Sequence, residues 1–156
     1  IHIFHYSVVQ YGDYALIMSL GMLIGVLMSR SLVMHFSSAQ MILIGFSLSV
    51  SASIILFILH MAGLLTPHVY APVMILALAG AAIVLPNAST RAFHPFPHLA
   101  GSAGAVYGSS QILMSSVVSF VVSIIHIQSE TGVVALLMVL ACSGLTLSLL
   151  MKSAGK

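Results

Sequence analysis

Charge is what this sequence has least of. Only Arg30, Arg91, Lys152, Lys156, Asp13 and Glu130 are ionised at neutral pH, a charged share of 4% in 156 residues beside a hydrophobic share of 60%. A soluble domain carries roughly a quarter of its residues as charges, so with a mean hydropathy of +1.20 water is not the main solvent of this chain. The net charge of +2 is small and scattered, which excludes the dense basic face that nucleic acids require. A single cysteine, Cys142, excludes an intrachain disulfide and the C-x-x-C spacing of metal sites. The patterns G-x-S-x-G, H-E-x-x-H and GxxxxGK[ST] are all missing, so neither a hydrolytic nucleophile, a zinc site nor a nucleotide cradle is signalled. No enzymatic activity, cofactor or metal is expected.

What the chain does have is long apolar runs. Crossing about 30 Å of hydrocarbon takes roughly 20 helical residues, and five stretches meet that length: 14–33, 41–64, 69–86, 100–125 and 133–151. The predicted fold is an all-α membrane protein, a polytopic helical bundle of five transmembrane helices. The links RSLVMHFSSAQ, TPHV, NASTRAFHPFPHL and HIQSETG are short and hold turn formers or charge, as connections at a membrane surface should. Prolines at 67, 72, 86, 95 and 97 are expected to stop helices. The third span is therefore predicted to end near Pro86, leaving Arg91 in an aqueous loop. The opening IHIFHYSVVQYGDY lacks the charged start of a signal peptide, and Ile1–His5 reads as the last turn of an earlier span in a longer chain.

Alternating the spans across the bilayer puts Arg30, Arg91, Lys152 and Lys156 on one side and Asp13 and Glu130 on the other. Four basic residues agree by chance about one time in eight, and the positive-inside bias makes their side cytoplasmic. Arg30, Arg91 and Lys152 become the cytoplasmic anchors, with the C-terminus inside. No carboxylate lies within a predicted span, so the buried acid typical of proton-coupled carriers is missing from this stretch.

Chemistry-bearing residues gather on the fourth span. Gly104, Gly108, Gln111, Ser115 and Ser119 recur at steps of three and four and share one helical face, with Gly101 one turn earlier. Small residues at that spacing let backbones approach, and Gln111 is costly against lipid, so this face should meet protein or a water-filled path. Gly21 and Gly25 repeat the pattern on the first span. Ser47, Ser49, Ser51 and Ser53 are spread around the second span, their hydroxyls suited to bonding back to carbonyls one turn earlier. His94 and His98 are four apart, but Pro95 and Pro97 between them forbid the helix that would align the rings. The remaining histidines sit near span ends, where an amphipathic ring suits the interface.

PNAST at residues 86–90, followed by PFPHLAGSAGAVYGSSQ up to Gln111, resembles the tenth-to-eleventh helix region of major facilitator superfamily transporters, and in particular the Bcr/CflA drug resistance branch. YSVVQYGDYALIMSLGMLIG near the start is similar to the loop and eighth helix of the same proteins. The resemblance implies that the five spans are helices eight to twelve, part of the C-terminal half of that fold. It implies a proton-coupled efflux carrier of the inner membrane, with the bilayer, the N-terminal helices one to seven, a small amphipathic substrate and protons as partners. Gly21, Gly25, Gly101, Gly104 and Gly108 would then pack where the two halves meet, and Asn87, Tyr107 and Gln111 would lie on the pathway or at its cytoplasmic mouth. The competing expectation is a non-transporting helical subunit or assembly factor that binds partner helices through its glycine faces.

Overall fold

The structure, a computed structural model, describes residues 8–95, 97–125 and 130–154. Five helices account for nearly all of them: α1 (Val8–Leu32), α2 (Ser38–Met61), α3 (Pro67–Phe93), α4 (Ala100–Ile125) and α5 (Glu130–Ala154), with one 3₁₀ turn at Pro97–Leu99. All five are long and apolar enough to cross a membrane. The residues expected to end an earlier span, Ile1–His5, lie outside the described part.

Local sequence sets the ends of α2. Ser37 is extended at φ −69° and ψ 156°, accepts at Oγ from the Gln40 backbone N–H, and donates its own backbone N–H to Gln40 Oε1 at 2.9 Å. That is a reciprocal capping box. At the other end Gly63 takes φ +66°, Leu64 N–H reaches the Leu59 carbonyl at 3.0 Å and Gly63 N–H reaches the His60 carbonyl at 3.0 Å. These are the paired bonds of a Schellman stop, which needs a residue without a Cβ at its left-handed position.

α3 departs from the sequence reading. It begins with Pro67 as its first residue, continues through Pro72 and Pro86, and runs on to Phe93. Pro86 forfeits one backbone bond, but breaking the helix inside hydrocarbon would leave several polar groups unpaired, at several kcal/mol each. Two hydroxyls also serve the Pro86 carbonyl, Ser89 Oγ at 2.9 Å and Thr90 Oγ1 at 2.8 Å. Arg91 thus lies in the last turn of α3 rather than in a loop. The helix stops at Phe93, with His94 as its cap and Pro95 next, because proline has no backbone N–H to continue the ladder.

The helices form a row, α1–α3–α2–α5, with α4 to one side meeting little besides the end of α3. Contacts fix the directions. Gly21 faces Ile75 and Gly25 faces Ala79, so α1 and α3 run the same way. Gly45 faces Gly80 while Ser49 reaches back to Ala77, so α2 runs against α3. Phe46 meets Gly144 and His60 meets Thr131, so α5 runs against α2 and hence along α1 and α3. Arg30 and Arg91 close α1 and α3, and position 152 lies in the final turn of α5, so the three basic positions share one end of the row.

Candidate functional site

The centre of the row is built from small residues. A Cβ on Gly21 would stand 2.6 Å from the Ile75 carbonyl oxygen, and one on Gly25 would overlap the Ala79 carbonyl and stand 2.8 Å from the Ala82 Cβ. Bulk at either position pushes two backbones apart. Four residues further along the same stripe of α1, Ser29 meets Asn87. Asn87 Nδ2 donates to Ser29 Oγ at 3.0 Å and to the Ile83 carbonyl at 2.7 Å, and both side chains are buried. Gly21, Gly25 and Ser29 therefore make one seam with α3, closed at its basic end by a polar clasp.

The opposite face of α3 meets α2 in the same manner. Gly45 lies against Gly80 and Val84. Ser49 Oγ donates to the Gly45 carbonyl at 3.1 Å and approaches the Ala77 carbonyl of α3 at 3.3 Å. Ser53 bonds back to Ser49 at 2.9 Å and Ser51 to Ser47 at 2.8 Å. Ser49 and Ser53 line the α3 side, whereas Ser47 and Ser51 are exposed. Gly45, Gly80 and Ser29 escaped the sequence reading, and Ser49 was expected to bond back within α2 but not to reach α3. Their signal is there, since serine and alanine at steps of four serve close packing as glycine does.

Two clefts border α5. One of about 410 Å³ lies between α2, α3 and α5, walled by Phe46, Met74, Leu78, Leu137 and Leu140 with Ser49 and Ser53 at its edge. The other, about 360 Å³, lies between α2 and α5, with Phe57, Met138 and Cys142 on its walls. His60 Nε2 and Thr131 Oγ1 sit 2.8 Å apart in that second cleft. Both spaces are nearly all apolar. The buried polar side chains among the described residues are Ser29, Ser53 and Asn87, and all are hydrogen-bonded, so the interior holds helices together and carries no buried charge there.

α4 is the exception. None of its most apolar stretch is buried, against 33% of the corresponding stretch of α3. A Cβ on Gly101, Gly104 or Gly108 would meet nothing within 4 Å, and Gln111 is exposed. The tether to the rest of the chain is at the hairpin: Phe93 and Tyr107 meet edge to face with ring centres 5.6 Å apart at 82°, beside a cleft of about 460 Å³ floored by Leu99, Ala103 and Val106. Edge-to-face pairs add about 0.5–1.5 kcal/mol beyond their burial, enough to hold a corner and too little to fix a helix.

The structure thus separates residues that the sequence reading grouped. Gly21 and Gly25 pack within this chain on α3, Asn87 is buried in the α1–α3 seam, Tyr107 holds the hairpin, and Gly101, Gly104, Gly108 and Gln111 face no neighbour among the described residues. Arg30 and Arg91 are exposed at the shared end, which Lys152 joins by position. Among the described residues, no three His, Cys, Asp or Glu side chains come together as a metal site would require. No protein-family model matches the chain, and neither a curated protein nor a solved structure matches it.

Proposed function

We propose that the chain is the C-terminal part of a proton-coupled efflux transporter of small amphipathic compounds, built like the Bcr/CflA branch of the major facilitator superfamily and working by alternating access. The observation that carries this reading is α4. A helix long enough to cross the bilayer presents Gly104, Gly108 and Gln111 on one face, and that face meets nothing among the described residues. Gln111 against lipid is costly, and a small-residue face invites a close helix neighbour. Helices one to seven of a complete carrier would supply that neighbour, and the lack of bulk would let the two halves rock. The shared basic end faces the cytoplasm by the positive-inside bias, with the C-terminus inside the inner membrane. The residues that couple transport to protons would lie in the N-terminal half.

A second reading has one observation in its favour. The described interior buries no charged residue, which suits a non-transporting subunit whose α4 face binds a separate polypeptide. The two readings part on what lies upstream: about seven further apolar spans with an acid in the first support the carrier, whereas a start codon directly before Ile1 overturns it. In the complete protein, Gly108→Leu is expected to insert normally yet abolish proton-driven efflux of a fluorescent amphipathic cation from inverted vesicles. Wild-type efflux by that variant would remove the moving interface from the mechanism.

A further inference from the structure

The end of the row where α1 and α3 finish carries two arginines whose placement the seam dictates. Ser29 and Asn87 are clasped at 3.0 Å. Arg30 follows Ser29 directly, and Arg91 lies four residues beyond Asn87, one turn further along the same stripe of α3. Both guanidinia are exposed. The chain has just two acids, Asp13 and Glu130, and they lie near the starts of α1 and α5, at the opposite end of the row. Among the described residues, neither arginine therefore has an Asp or Glu of this chain within reach. The C-termini of α1 and α3 add roughly half a negative charge each, which leaves the pair of guanidinia about one unit positive.

Height matters as much as charge. Helices of 25 and 27 residues are roughly 37–40 Å long, and a hydrocarbon core of about 30 Å leaves their ends among the headgroups. Phosphate is the anion fixed at that level, and the planar guanidinium fork matches it with paired hydrogen bonds. Below Arg30 the surface of α1 is apolar and open, with Leu23 and Leu27 both exposed. That surface suits acyl chains.

We propose that Arg30 and Arg91, carried at the end of the α1–α3 seam that the Ser29–Asn87 clasp closes, bind the phosphate of an anionic phospholipid whose chains lie along α1. This proposal needs only that the helices span a bilayer and is independent of the transport reading. Lys152 shares the same end but belongs to α5, which is separated from α1 by α3 and α2. It serves as the control charge.

The test reconstitutes the chain in phosphatidylcholine nanodiscs with trace spin-labelled phosphatidylglycerol or spin-labelled phosphatidylcholine, and reads the motionally restricted fraction. The preference for phosphatidylglycerol is expected to be about fivefold for each guanidinium. It should fall close to one in the Arg30→Gln/Arg91→Gln double variant, survive Lys152→Gln, and resist a millimolar excess of inorganic phosphate. An unchanged preference in the double variant, its loss in Lys152→Gln alone, or displacement by inorganic phosphate would each overturn the proposal. Both arginines are exposed, so the double variant should insert and fold like the parent. Asn87→Leu, which releases the clasp and keeps both charges, should lower the preference part of the way, and an undiminished preference there overturns the clasp's role.

Discussion

α1 and α4 carry the same kind of signal and meet opposite fates. Gly21 and Gly25 press against the backbone of α3, while Gly104 and Gly108, at the same spacing, face nothing among the described residues. A small-residue face in an apolar helix says that a helix is wanted there. It does not say which helix, because van der Waals packing between smooth faces needs only a partner of matching shape. The partner of α1 is two helices downstream in the same chain, and the partner of α4 is not among the described residues.

Four substitutions probe that contrast, in falling order of effect. Gly25→Leu should be the most damaging, since even its Cβ overlaps the Ala79 backbone and the rest of the side chain has nowhere to go. Overpacking of this kind costs about 1–3 kcal/mol or more, and equilibrium unfolding in bicelles should read it as a matching loss of stability. Asn87→Leu removes the bonds to Ser29 and Ile83; an interhelical hydrogen bond of this sort contributes about 0.6–1.7 kcal/mol, and the same assay should fall in that range. Ser37→Ala deletes only a local cap and should cost about 1 kcal/mol or less, with hydrogen exchange rising in the first turn of α2 alone. Gly104→Leu should change the stability of this chain by no more than about 0.5 kcal/mol, as open space around its Cβ allows. If Gly104→Leu proved as harmful as Gly25→Leu, α4 would have a partner within the chain after all and the contrast would collapse.

The architecture was legible to different depths in different places. Each helix overlaps one of the apolar runs, because length and hydropathy are the two properties a bilayer selects. The stop after Leu59–Leu64 was less visible, since Gly63 looks like any other glycine until its φ is known. Pro86 misled, because the rule that proline ends a helix comes from water, where a freed carbonyl finds solvent; in lipid the loss of one bond costs less than a break, and the helix runs on through Pro86. Asn87 drew notice only through the resemblance, as part of a pathway or its cytoplasmic mouth, and its amide fits a pathway and a clasp alike. Only its partner, Ser29, 58 residues away, distinguishes them, and pairings at that range leave no local trace. The ladder from Gly104 to Ser119 could be read as a face, yet its exposure could not, because exposure is a property of neighbours.

The clasp between Ser29 and Asn87 also has a schedule. Synthesis proceeds at about 5–20 residues per second, so the asparagine follows its serine by roughly 3–12 seconds. Through that interval α1 must sit among lipids or insertion machinery with its glycine groove empty, and α2 arrives before the helix that will stand between the two. The nascent row is therefore assembled out of sequence, with its middle member last of the three. Any chaperone of membrane insertion that shields small-residue grooves would meet α1 at the moment it has most to offer.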